Sequence, residues 1–166
     1  MKKAFTLIEM LISISILSIM MIFLYKSYAS LNSSNNLLKD ELVKMKQQEL
    51  KKKVLFLDFS MLLNNKVDIL NQGYKENIVF MQSSNSIHNR INPYITYIVK
   101  DSVLYRLESL EQFYESELRF DNEFVYDKFG KVNSFKVYQS KDKNTSFLID
   151  IDFKNEEDIL LKVGSL

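Results

Sequence analysis

The side chain whose placement asks for a chemical explanation is Glu9. It is the only group charged at neutral pH in an apolar run from Ala4 to Tyr25, preceded by Met1-Lys2-Lys3. A carboxylate inside such a segment costs about 2–3 kcal/mol on membrane-insertion scales and is normally retained with a partner. The positive groups, Lys2, Lys3 and Lys26, lie at the two ends of the run. That leaves another chain, or a newly made amino terminus, as the source of a partner. Elsewhere the reactive types are sparse. With no cysteine and one histidine, His88, the chain has no thiolate nucleophile, no disulfide, no cysteine-based metal site and no pair of imidazoles. His88 lies in a polar stretch and reads as an exposed histidine rather than a base. Asp121, Glu123 and Asp127 offer oxygen ligands of the kind calcium takes, but without the glycine and ligand density of a calcium loop, so acids in a turn are the better account. Asp150 and Asp152 fall on one face of a strand and could form a carboxylate pair. With Asn155, Glu156, Glu157 and Asp158 beside them, a solvated acidic edge that discourages sheet aggregation fits better. No catalytic constellation emerges, and no cofactor or metal is expected.

The elements that position these residues follow from composition and spacing. At 166 residues the chain suits one main core, and 22 Lys plus Arg against 21 Asp plus Glu leave a net charge of +1. No global field therefore attracts nucleic acid. As a helix, the run from Ala4 to Tyr25 would span roughly 33 Å, against a bilayer core of about 30 Å. Lys2 and Lys3 favour a cytoplasmic N-terminus, an asymmetry that Lys26 weakens. No glycine or proline precedes Gly73, so nothing forces the helix to stop early. Leu31, Leu38, Leu42 and Met45, then Phe56, Phe59 and Leu63, mark an apolar face against a head, and the helix is expected to run to about Asn64. Asn32 to Asn36 is its weakest stretch. Lys51, Lys52 and Lys53, with Lys44 and Lys46 upstream, read as a solvated face neutralised by Glu41, Glu49 and Asp58 rather than as a phosphate patch.

From Ile78 onward the pattern changes to short β-branched and aromatic runs. Strands are expected at Ile78–Met81, Ile95–Val99, Val103–Leu107, Phe124–Tyr126, Val132–Tyr138, Phe147–Phe153 and Ile159–Val163. Lys100-Asp101-Ser102 reads as the turn of the clearest hairpin, and Gln82 to Asn92 as a loop. The fold class is α+β: a long N-terminal helix, transmembrane in its first half and amphipathic in its second, packed against an antiparallel sheet.

Lys3-Ala4-Phe5-Thr6-Leu7-Ile8-Glu9 and the apolar run resemble the N-terminal signal of type IV pilins and type II secretion pseudopilins. The resemblance implies that a prepilin peptidase reads the leader through Lys2 and Lys3 and cuts between Ala4 and Phe5. It then methylates the new amino group of Phe5, and Glu9 pairs with the amino terminus of a neighbouring subunit and sets its register. One departure is Ala4, where the family usually has glycine. It divides the chain into a leader at 1–4, a transmembrane half-helix at 5–25, an amphipathic half-helix at 26–65 and a periplasmic head at 66–166. Asn92-Pro93-Tyr94-Ile95-Thr96-Tyr97-Ile98-Val99, Val103-Leu104-Tyr105-Arg106-Leu107, Val132-Asn133-Ser134-Phe135-Lys136-Val137-Tyr138 and the Asp58 segment are similar to J-type minor pseudopilins and W-type minor pilins. The absence of cysteine makes the chain a poor major pilin.

The expected function is that of a minor pilin or pseudopilin, a non-enzymatic subunit of a secretion pseudopilus or a type IV pilus, held in the bacterial inner membrane. Its partners would be the prepilin peptidase, other pilins met through the N-terminal helix, an assembly platform and membrane lipid. Loss of Met1–Ala4 deletes two lysines and takes the formal charge from +1 to −1, which argues against indiscriminate DNA binding. Two alternatives stand beside it: a competence pseudopilin touching DNA through Lys51, Lys52 and Lys53, and a periplasmic binding or enzymatic domain for which residues 4–25 serve as an anchor. A conventional signal peptide ending at Ser27-Tyr28-Ala29 is disfavoured by the length of the apolar run and by Glu9.

Overall fold

A computed structural model describes residues 6–112, 124–140 and 146–164. The chain divides into two compact units, Met1–Gln47 and Gln48–Leu166. One helix, α1 (Leu7–Ser60), supplies all the regular structure described in the first unit and enters the second. Seven strands follow: β1 (Leu62–Gln72), β2 (Glu76–Ser83), β3 (Tyr94–Lys100), β4 (Val103–Ser109), β5 (Phe124–Gln139), β6 (Ser146–Phe153) and β7 (Ile159–Gly164).

The α+β expectation holds: α1 packs its end against an antiparallel sheet in which sequence neighbours pair in order from β1 to β7. The apolar face expected earlier along the helix is different. Leu31, Leu38, Leu42 and Met45 are all exposed, and the residues α1 buries are Leu55, Asp58, Phe59 and Ser60. The helix also stops short of Asn64, because Leu62–Gln72 finds a better use as a strand against β2, where Val67 and Ile69 turn inward. The Met61 carbonyl, released from the helical ladder, accepts from the Ser84 N–H at 3.0 Å and the Ser83 hydroxyl at 3.1 Å, so the helix end is not left unsatisfied. This strand was not expected from the sequence. Its Asn, Lys and Asp content hides two inward positions.

The β3–β4 hairpin forms in the expected place. Lys100 pairs with Val103, and Asp101 and Ser102 take φ of 52° and 59°, the doubly positive turn that matches strand twist. Two expected strands, by contrast, merge into β5. Its first half pairs with β4 and its second with β6, and the strand bends at Gly130, where φ is 143°. A Cβ there would lie 3.1 Å from the Phe153 ring, so only glycine suits the bend. The bend returns β5 to β2 through one parallel bridge, Glu76 to Phe135. Beside it the Val137 N–H donates to the buried Asn77 amide oxygen at 2.9 Å, and Asn77 donates to Asn71 at 2.6 Å.

The core lies between the end of α1 and the inner faces of these strands. Leu55 and Phe59 meet Tyr97, Phe135, Phe147, Ile149 and Ile151. Phe59 and Phe147 stand 5.3 Å apart and Tyr97 meets Phe129 edge-on at 5.5 Å. A smaller cluster of Ile78, Phe80, Ile98 and Leu107 occupies the other face of the β2–β4 region. Strand β6 alternates as expected, with Phe147, Ile149, Ile151 and Phe153 buried. It is an interior strand between β5 and β7, however, so Asp150 and Asp152 do not guard an edge. Asp150 instead lies opposite Lys136, and Asp152 accepts from the Asn133 amide at 2.7 Å.

Candidate functional site

At the N-terminal end, α1 opens with a reciprocal cap. The Thr6 N–H and the Thr6 hydroxyl each donate to Glu9 Oε2 at 2.8 Å, and the Glu9 N–H reaches back to Thr6 Oγ1 at 3.4 Å. This is the Thr-x-x-Glu capping box, which satisfies donors that a helix start leaves open. It corrects the expectation that nothing inside the segment can pair with Glu9: Thr6 does, through neutral donors. Among the described residues no cation lies within ion-pair distance of Glu9. Ser13, Ser15 and Ser18 each donate to the carbonyl four residues back, at 2.8, 2.9 and 2.8 Å, so they spend their hydroxyls on their own helix. Lys2, Lys3, Ala4 and Phe5, the leader and cleavage positions, lie outside the described residues. Among the described residues, one helix is long and apolar enough to cross a membrane.

In the head, the charged centre is built on Asp58, which the sequence placed on a solvated lysine face. It is fully buried. Arg106 Nε donates to Asp58 Oδ2 at 2.7 Å and Nη2 to Oδ1 at 3.1 Å, a two-pronged clamp, while the Tyr97 hydroxyl donates to Oδ2 at 2.6 Å and Asn85 to Oδ1 at 2.6 Å. Arg106 Nη1 turns to buried Glu108 at 2.7 Å. Glu108 also accepts from the Ser86 hydroxyl and from the Ile87 N–H at 3.1 Å. Among the described residues no buried side-chain polar atom lacks a partner. Burial by itself would lower the Arg106 pKa, but the hydrogen bonds and charge of Asp58 outweigh it and hold the guanidinium above its ordinary value. Burial, then the Asp58 charge, pushes the Tyr97 phenol well above 10.0. Glu108 is desolvated, yet the Ser86 and Arg106 hydrogen bonds prevail and lower its pKa.

The strand pattern holds a signal for this network. In Val103-Leu104-Tyr105-Arg106-Leu107, Arg106 has the inward parity of Leu104, and in the helix Asp58 stands one residue from Phe59 and three from Leu55. An inward Arg and an inward Asp demand each other. The cluster contains no nucleophile and no metal-ligand geometry. What it does is fasten four pieces of chain: the end of α1, strands β3 and β4, and the loop after β2.

The other candidates resolve as follows. Lys51 pairs with Glu156, and Lys52 Nζ stands 3.9 Å from Glu157, so these two lysines are met by the β6–β7 turn and not by Glu41, Glu49 or Asp58. His88 is half-buried, its Nε2 2.9 Å from Asp127 Oδ2, rather than a free histidine in solvent. Asp127 is thus occupied by His88 and stands 3.8 Å from Arg106, while Asp121 and Glu123 lie outside the described residues. Among the described residues no group of three or more His, Asp or Glu could hold a metal ion.

Residues 1–25 match the family model described as the prokaryotic N-terminal methylation motif. No curated protein and no solved structure matches the chain. The motif sits on the segment that carries the pilin resemblance, and the long helix ending against an antiparallel sheet is a pilin-like architecture. The two together support a pilin-like protein: the motif points to a structural protein, implies processing by a prepilin peptidase and assembly with other pilins, and accords with a membrane-anchored chain.

Proposed function

We propose that the chain is a minor pilin or pseudopilin, a subunit of a type II secretion pseudopilus or a type IV pilus. It enters the bacterial inner membrane with Lys2 and Lys3 cytoplasmic and the head periplasmic. Prepilin peptidase cuts between Ala4 and Phe5 and methylates Phe5, and the segment from Phe5 to Tyr25 then joins the core of a filament. Within that core Glu9 exchanges its Thr6 donors for the free amino terminus of a neighbouring subunit, which fixes the stagger between the two. The observation that carries this reading is the methylation motif over residues 1–25, continuous with a helix of membrane-spanning length. The head has no catalytic role in this scheme and presents contacts to other subunits. The DNA-contact alternative loses support, because Lys51 and Lys52 face glutamates.

Intact mass and N-terminal sequencing of the protein from native membranes test the proposal. A chain beginning at N-methylated Phe5 is the expected result. A chain that keeps Met1, or begins at Ser30, overturns it in favour of an anchored or secreted head.

A further inference from the structure

Strands β1 and β2 lose register between Leu62 and Val67, where five steps along β1 face two along β2, from Ser83 to Met81. The extra residues bow out of the sheet, with Asn64 at φ 63°, a left-handed conformation that asparagine tolerates. The bow opens a cleft of about 190 Å³ between Asn64, Lys66 and Asp68 of β1, Phe80 and Gln82 of β2, and Tyr94 of β3.

Its lining has a definite chemical character. Lys66 and Asp68 stand 3.5 Å apart and cancel, so neither an anion nor a cation is favoured. Asn64 and Gln82 are amides, each able to donate and to accept. Gln82 Nε2 already donates to the Asn92 carbonyl at 3.0 Å, which fixes its orientation, whereas the Asn64 side chain has no hydrogen-bond partner among the described residues. Phe80, nearly buried, and the half-buried Tyr94 add an apolar wall. Paired donor and acceptor groups of zero net charge beside an aromatic wall suit a ring whose hydroxyls both give and take hydrogen bonds and whose C–H face is apolar. The volume falls below the roughly 300–1,000 Å³ of sites for drug-sized ligands, which limits the occupant to a single small ring. An added peptide strand fits less well, because β1 resumes its pairing at Val67 and closes the notch after a few residues.

We infer that the β1 bow forms a binding site for a neutral pyranose, held by Asn64, Asp68 and Gln82 against Tyr94. The site is independent of the pilin assignment, since it lies wholly in the head. The test is saturation-transfer NMR on the full chain in dodecylphosphocholine micelles, whose headgroup carries no sugar. Galactose, mannose and N-acetylglucosamine are tried singly, with sorbitol and trialanine as controls. At least one pyranose should give a saturable signal in the millimolar range. Asn64→Gly, which keeps the left-handed backbone while removing the amide, and Asp68→Asn should each weaken it about fivefold, with the circular dichroism unchanged. If Asn64→Gly does not fold, Asp68→Asn decides alone. No signal from any pyranose, an equal signal from sorbitol, a signal from trialanine in their place, or undiminished binding in the folded variants would each overturn the inference.

Discussion

Replacing Arg106 by alanine removes the cation that faces both Asp58 and Glu108 and strands two buried carboxylates. Breaking a buried pair in this way costs about 3–5 kcal/mol, far more than the pair contributes over a well-packed apolar substitute. The urea midpoint of the head, followed by tyrosine fluorescence, should fall accordingly for Arg106→Ala. Arg106→Lys should recover only part of it, since an ammonium has no planar fork to span both oxygens of Asp58. The same network sets a pH window. Glu108 is held below its ordinary 4.5 in the folded state, so its contribution is present above that value and fades as pH falls through the lower folded one. Tyr97 is raised above 10.0, so its contribution is complete below pH 10 and fades as pH climbs further. Urea midpoints across pH should show a plateau that falls at both ends, and Tyr97→Phe should remove the alkaline fall attributable to this group. A flat profile down to pH 2 would contradict the role given to Glu108.

Among the elements, what was legible in the sequence is what local pattern determines. The β3–β4 hairpin and the alternation of β6 show in the order of apolar and polar residues, because each strand's neighbour along the chain is its neighbour in the sheet. The missed parts depend on partners far away in the sequence. Strand β1 exists through its pairing with β2 and carries a bow that disrupts its alternation, while Asp58 reads as a surface acid until Arg106, 48 positions on, is brought beside it. Strand β5 looked like two strands because Gly130 interrupts it, yet that glycine is the means by which one strand serves both β4 and β6. Gly130→Ala should therefore cost about 1–3 kcal/mol, from a positive φ combined with a Cβ 3.1 Å from Phe153 and Glu156. Shortening Phe153 to leucine should return part of the loss if the ring clash matters. If the double variant is no better than Gly130→Ala alone, the strain lies in the backbone.

For the whole molecule, the decisive exchange is at Glu9. A carboxylate in an apolar segment is tolerable in a single chain because Thr6 supplies two donors, but those donors are neutral and leave the charge uncompensated. A cationic amino terminus from a second chain would compensate it, so the proposed assembly gains what the isolated helix lacks. Glu9→Ala should leave membrane insertion intact or improve it, since the costly group is gone, and should abolish incorporation into a filament. Thr6→Val should act in the opposite sense: with the hydroxyl donor gone and only the backbone N–H of residue 6 left to it, Glu9 inserts less readily as a monomer, by about 1 kcal/mol for the lost cap, but keeps its capacity to pair between subunits. Membrane fractionation reports insertion and sheared filament preparations report incorporation, so the two effects separate. Replacing residues 5–25 with an unrelated transmembrane segment should leave the head folded, because the core is drawn from Leu55 onward, and still eliminate assembly. Normal incorporation of Glu9→Ala, or of the segment swap, would mean that the apolar helix is an anchor and nothing more, and the registration role would have to be abandoned.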